Sequence, residues 1–162
     1  LIEKDPNYSY VVARLLLTNI YEEALTFVGH KDSQPTIKSM KKNYIDYFKS
    51  YICEASELKL LDKELLNYDL DLLGNSIVSS RDLSFTYLGL QTLYDRYFIH
   101  HKEKRFELPQ AFFMRVAMGL AINETDREAK AIEFYNLISS FDFMCSTPTL
   151  FNSGTLRPQL TR

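Results

Sequence analysis

The sequence predicts a mainly α fold: a multihelical orthogonal bundle with one small β-hairpin. Three observations carry this. Apolar residues recur at i, i+3 and i+4 along most of the 162 residues, the period of a helix with one buried face. Helix punctuation falls where that pattern begins and ends, at Asp5-Pro6, Gly29, Gly74-Asn75, Pro109 and Thr125-x-x-Glu128. A pair of short strand-like runs around a charged tip occurs once before the chain's last stretch.

The elements follow in order. Asp5 is a cap residue and Pro6 suits a first turn. Val12, Leu16, Ile20 and Ala24, with Leu17 and Leu25 beside them, predict a helix to about Phe27, closed near Gly29. Asp32-Ser33-Gln34-Pro35 restarts the pattern. Ile37, Met40, Tyr44, Phe48 and Ile52 then share one face to about Leu58, with Lys38, Lys41, Lys42 and Lys49 mostly opposite. Leu60–Leu66 and Asp69–Leu73 read as two short helices, with Gly74-Asn75 as a C-cap. Asp82 is placed to cap a helix carrying Leu83, Tyr87, Leu90, Tyr94 and Tyr97. Phe98–His100 and Arg105–Leu108 flank the tip His101–Lys104 and form the hairpin. Pro109 opens a helix from Gln110 to Ile122 that is apolar almost all round and so belongs at the buried centre. Thr125-x-x-Glu128 has the form of a capping box. The last helix carries Ala131, Phe134, Tyr135, Ile138 and Phe141 to about Phe143.

Composition narrows the function classes. A hydrophobic content of 46%, with 14% aromatic, excludes a disordered chain. A net charge of −2 argues against a nucleic-acid partner, and no apolar run is long enough to span a membrane. Two cysteines far apart make no disulfide framework, which fits a reducing cytoplasm. The chain starts at Leu1-Ile2 without a methionine, which points to a piece of a longer protein.

Few residues carry a chemical signal. Cys53 and Cys145 read as apolar thiols in packed surroundings. His100-His101 reads as a solvated turn, since no third metal ligand stands at a supporting spacing. The eleven tyrosines lie mostly on helical stripes such as Tyr44, Tyr87 and Tyr94, where packing accounts for them. Glu22-Glu23 point to different helix faces and make no acid/base pair. The stretch Ser146–Thr155 differs. Its hydroxyls, Pro148, Asn152 and Gly154 predict a loop. Such a loop either presents N–H and hydroxyl groups to an oxyanion such as a phosphate or is a helix stop and a turn into a strand.

Thr147-Pro148-Thr149-Leu150-Phe151-Asn152-Ser153-Gly154-Thr155, followed by Arg157-Pro158-Gln159-Leu160, resembles the large (catalytic) subunit of ribonucleotide reductase. Arg81-Asp82-Leu83-Ser84-Phe85-Thr86-Tyr87-Leu88-Gly89-Leu90-Gln91-Thr92-Leu93-Tyr94-Asp95-Arg96-Tyr97 and Asp5-Pro6-Asn7-Tyr8-Ser9-Tyr10-Val11-Val12-Ala13-Arg14-Leu15 match two further family blocks. The three occur in family order and span nearly the whole chain. The upstream blocks are similar to the aerobic two-subunit class.

The resemblance implies a helical N-terminal region over residues 1–145. Residues 146–162 would be the substrate loop, ending at the entry to the catalytic α/β barrel. It implies a parent enzyme that reduces ribonucleoside diphosphates to 2′-deoxyribonucleotides by thiyl-radical chemistry, for DNA synthesis. Its implied partners are a small metal-containing subunit that generates the radical, a second large subunit in a homodimer, and thioredoxin or glutaredoxin as reductant. Nucleotide effectors (ATP/dATP and dNTPs) are implied too, and an ATP/dATP activity domain, when present, precedes the matched segment. Thr147 matches the Thr or Ser that contacts the substrate nucleotide, its hydroxyl or N–H reaching a phosphate oxygen. No catalytic residue, metal ligand or bound cofactor is expected in these residues. The family's first redox cysteine would follow Arg162, so Cys145 is not its counterpart, and the isolated segment should be inactive. Thr161-Arg162 stands where the family usually has Ser-Ser, a departure that bears on the second serine's substrate contact. Two rivals remain beside this reading. A helical interaction or regulatory module would leave an apolar face uncovered. A stand-alone nucleotide-binding domain would need a Gly-rich phosphate loop followed by Lys, which the sequence lacks.

Overall fold

The computed structural model describes residues 5–32 and 34–157. Asp5 Oδ1 accepts the Asn7 N–H at 2.9 Å, and Pro6 already has helical torsions, so helix α1 (Asn7–Phe27) starts where the sequence predicts. Its buried stripe is Ala13, Leu17, Ile20, Tyr21, Ala24 and Leu25. Val12 and Leu16 lie at the margin of that stripe, which takes in Tyr21, whose hydroxyl donates to Asp82 Oδ2 at 2.6 Å.

Helix α2 (Met40–Glu57) starts later than expected. Thr36 and Ser39 exchange backbone-to-hydroxyl bonds of 2.9 and 3.1 Å just before it, leaving Ile37 outside the helix and exposed. Met40, Tyr44, Phe48 and Ile52 are buried as predicted, joined by Tyr47, Tyr51 and Ala55. A 3-10 turn (Lys63–Asn67) and α3 (Leu70–Ser76) replace the two short helices read from the sequence. Gly74 is not a C-cap: it sits inside α3 in contact range of Phe48, and the helix stops after Ser76.

Asp82 does not cap a helix either. It lies in a second 3-10 turn (Ser79–Ser84), and its side chain is buried. The cap of α4 (Tyr87–Thr92) is Thr86, whose Oγ1 accepts the Gly89 N–H at 3.2 Å. A π turn (Leu93–Tyr97) continues α4. Strands β1 (His100–His101) and β2 (Lys104–Arg105) form a hairpin at the predicted place, with His100 opposite Arg105. It is shorter than expected: His101 and Lys104 pair in the strands rather than lying in the tip, and Phe98-Ile99 and Phe106–Leu108 are outside them. Lys102 and Glu103 make its two-residue turn in the left-handed region, φ 47° and 67°.

Helix α5 (Pro109–Ala121) is the central element, buried without a break from Pro109 to Met118. Helix α6 (Arg127–Ser139) packs along it. Two expectations fail here. The capping box does not form, since α6 has no side-chain cap and Glu128 Oε1 instead accepts the Asp69 N–H at 3.2 Å, a tertiary contact replacing a local one. The helix also ends at Ser139 rather than Phe143, because Phe141 turns left-handed at φ 65° and sets its ring edge-on to Phe85. Finally, the stretch expected as a loop is a short helix, α7 (Thr147–Asn152), with Pro148 in its first turn. Ser146 is extended (φ −65°, ψ 155°), so the bend falls before the proline, whose fixed φ then suits a helix start. Pro158 to Arg162 lie outside the described residues, as do Ser33 and residues 1–4. The Gln159-Leu160 end of the third block, the Thr161-Arg162 departure and the expected entry to a barrel fall there. Among the described residues no helix is long and apolar enough to cross a membrane.

Candidate substrate-contact site

Thr147 is exposed at the start of α7. Its Oγ1 is 3.3 Å from the Tyr97 hydroxyl at the end of the π turn. One helical turn on, Phe151 stacks on the Tyr97 ring, centroids 4.7 Å apart. Ser146 Oγ and Thr149 Oγ1 are 3.0 Å apart. Beside this face opens a cleft of about 360 Å³, whose lining includes Lys59, Arg96, Tyr97, His100, Phe151 and Arg157.

The other end of α7 is buried. Leu150, Ser153 and Gly154 are packed against α5. The Arg115 guanidinium, in the middle of α5, donates through Nη1 to Leu150 O at 3.1 Å and to Ser153 O at 2.8 Å. These are carbonyls at the C-terminal end of a helix, which no intrahelical N–H satisfies. Ser153 Oγ donates to Val116 O at 2.7 Å. Gly154 is left-handed at φ 76°, and a Cβ there would lie 2.8 Å from Arg115 O. A Cβ on Gly119 would collide with Gly154 N and Ser153 Oγ, and lie 2.7 Å from Ser153 C. Glycine at both positions lets the two backbones approach that closely. Beyond the turn, Asp62 N–H donates to Gly154 O at 3.0 Å, and Leu61 bridges Thr155.

Arg115 is itself held. Its Nε and Nη2 form a two-pronged pair with Glu107 at 3.0 and 2.9 Å, and both side chains are fully buried. Burial alone would lower the arginine pKa, but the Glu107 carboxylate outweighs it and raises the value. Tyr51 donates to Glu107 Oε2, and the Ile99 N–H donates to Oε1 at 3.2 Å. Burial pushes the Tyr51 phenol well up, so it remains a donor. Sequence reasoning missed this pair. The signal was there: Arg115 is the one charged residue in the apolar run Pro109–Ile122.

The tyrosines of α2 do more than pack. Tyr44 OH donates to Asp82 Oδ2 at 2.7 Å, Tyr47 OH donates to Phe106 O, and Tyr51 reaches Glu107. Spaced three and four apart, they lie on one helix face and bond to residues 82, 106 and 107. Cys145 is buried, and burial pushes its thiol up, as a packed thiol requires. Cys53 is half-buried in α2. His100 and His101 lie on the hairpin, and among the described residues no three His, Cys, Asp or Glu side chains converge as a metal site.

The sequence model of the ribonucleotide reductase all-alpha domain matches residues 83–158. The chain is similar to the ribonucleoside-diphosphate reductase subunit alpha of Chlamydia muridarum, 49% identical over 161 residues, which are 99% of this chain and 15% of that protein. It is also similar to the subunit alpha of Helicobacter pylori, 37% identical over 96% of this chain and 18% of that protein. The large subunit of Danio rerio is 33% identical over 98% of this chain and 18% of that protein. The chain thus spans less than a fifth of the length of these relatives. A mainly helical fold, the family match over residues 83–158 and relatives similar over nearly the whole of this chain make it a member of the ribonucleotide reductase large-subunit family, in its all-alpha domain.

Proposed function

We propose that this chain is the helical scaffold of a ribonucleoside-diphosphate reductase and presents one substrate contact, Thr147, to the reacting nucleotide. The parent enzyme would reduce ribonucleoside diphosphates to 2′-deoxyribonucleotides in the cytoplasm. It would act as a large-subunit homodimer, with a small subunit supplying the radical, thioredoxin or glutaredoxin restoring the thiols, and ATP/dATP and dNTPs as effectors. Residues 1–145 form the scaffold in this reading, and 146–162 lead into the catalytic barrel. None of the chain's own residues performs the chemistry.

The observation that supports Thr147 most directly is its exposure. In a stretch where Leu150, Ser153 and Gly154 are buried, Thr147 is exposed, and Tyr97 and Phe151 beside it line a cleft that carries Lys59, Arg96 and Arg157 together with Asp95. A hydroxyl or N–H there donates to a phosphate oxygen, a charge-assisted hydrogen bond worth about 1.5–3 kcal/mol. Such a contact orients the ribose rather than reacting with it. Exposed Leu88, Phe143 and Met144 are the apolar surface a helical interaction module would show. That surface fits either reading, whereas identity along the whole chain favours the reductase.

The test is steady-state kinetics of Thr147→Val in the intact reductase subunit that carries this domain. The expected result is a KM for ribonucleoside diphosphate raised severalfold, with unchanged unfolding behaviour. Unchanged KM and kcat would sink the assignment.

A further inference from the structure

We propose that Arg115 is a positioning residue which, fixed by Glu107, sets where Thr147 meets the substrate; the proposal rests on the substrate-contact reading of Thr147. Helix α7 is six residues long, too short to hold its own place. Its exposed end carries Thr147. Its buried end is tied to α5 by two Arg115 hydrogen bonds to carbonyls, at 2.8 and 3.1 Å, and by the Ser153 hydroxyl at 2.7 Å. Because a short helix moves as a unit, a shift at Leu150–Gly154 is carried to Thr147.

The chemistry of the anchor fits this role. Burying an arginine and a glutamate is a poor way to gain stability, since desolvation opposes the attraction. A planar guanidinium, however, offers several donors in one rigid fork. Here two donors hold Glu107, and Nη1 is left free to reach both α7 carbonyls. Glu107 is in turn fixed by Tyr51 and by the Ile99 N–H. The fork's direction is therefore set by α2 and the segment ahead of α5, not by α7 itself.

Gly119 supplies the lever for a test. It sits inside α5, where alanine suits the helix better than glycine. The added Cβ collides with Ser153 and Gly154, so Gly119→Ala displaces the anchored end of α7. A structural defect and a positioning defect then separate in the kinetics. A partly unfolded enzyme has fewer active molecules, which lowers kcat and leaves KM alone. A displaced Thr147 raises KM.

The experiment is a double-mutant cycle in the intact reductase subunit, with Gly119→Ala, Thr147→Val and the pair. The expected result is a severalfold rise in KM for each single variant and no further rise in the pair, because both act through one contact. Multiplicative KM effects in the pair, or a Gly119→Ala enzyme whose KM is unchanged, would overturn the proposal while leaving Thr147 as a contact. A Thr147→Val enzyme with normal KM would instead remove the reading on which the proposal rests. Arg115→Lys replaces Gly119→Ala in the cycle if that protein does not fold. It keeps a charge opposite Glu107 but loses the fork to Leu150 and Ser153, and its KM is read in the same way.

Discussion

Two carboxylates are buried against α5, and they are held in opposite ways. Glu107 faces a cation, Arg115, through two hydrogen bonds. Asp82 receives neutral donors: Tyr21 at 2.6 Å, Tyr44 at 2.7 Å and Gln110 Nε2 at 2.8 Å. Tyr135 extends that second network, donating to Gln110 Oε1 at 2.8 Å while accepting the Val78 N–H at 3.0 Å. Both sites satisfy their hydrogen bonds. Only the first has charge balance among its partners. Burial pushes Asp82 up to about 6, and the three donors restrain that rise without cancelling it. The contrast shows that complete hydrogen bonding and charge neutrality are separate requirements on a buried acid. A phenol meets the first, and a guanidinium meets both.

The largest expected effect separates the two sites directly. Glu107→Gln leaves the Arg115 charge buried without a counter-charge, which costs about 3–5 kcal/mol. Asp82→Asn removes a charge that has no cation beside it but turns an amide N–H toward one of its three donors, so at pH 7 it costs about 1–3 kcal/mol. Urea unfolding of the two variants at pH 7 checks this. Equal losses would mean that charge balance does not distinguish the sites.

The next effect is pH dependence. Folded Asp82 holds its proton up to about pH 6, whereas an unfolded aspartate releases it near pH 4. Between those values the folded state binds more protons at this group, so the Asp82 contribution to stability is highest below about pH 4 and is lost as pH rises through 6. The gap between the folded and unfolded values is worth about 3 kcal/mol. Other carboxylates titrate in the same range, so the quantity to measure is the wild-type stability minus that of Asp82→Asn from pH 4 to pH 7. Over that range the difference should fall by about 2 kcal/mol, most of the full gap. A flat difference would place Asp82 in a far more polar setting than the one described.

How much of this was legible in the sequence differs between the two networks. The buried centre was readable, because Pro109–Ile122 is apolar almost all round and its one charged residue, Arg115, marks the charged site. The hairpin was readable from a charged tip between apolar runs. Asp82 was not. An aspartate ahead of a helical pattern is a natural cap, and its true partners stand 28, 38 and 61 residues away. Local sequence carries no trace of such partners. Glu128 failed for the same reason: a capping box is a local rule, and Asp69 took its carboxylate. The Thr147 stretch was readable as a special segment but not as a helix, since the proline that reads as a breaker inside a helix is a favourable residue in its first turn.

The smallest effect tests the comparison at the level of one hydroxyl. Tyr44→Phe removes a donor to Asp82 and also the acceptor of the Gln110 N–H, which lies 3.2 Å from the phenol oxygen. Tyr51→Phe removes a donor to Glu107, which keeps both bonds from Arg115. Each change removes a hydrogen bond to a buried carboxylate, worth about 1.5–3 kcal/mol, so the ranges overlap and total stability does not tell the sites apart. Their pH dependence does. The Tyr44 hydrogen bond holds Asp82 down against burial. Without it the Asp82 pKa climbs further, and the fall in stability extends to higher pH in Tyr44→Phe than in wild type. Tyr51→Phe should follow the wild-type profile, displaced by a constant amount, because the charge that balances Glu107 is the guanidinium and not the phenol. Unfolding midpoints of the two variants between pH 5 and pH 8 decide it: parallel profiles would show that the phenols contribute alike at both sites, and the distinction between donor and counter-charge would fail.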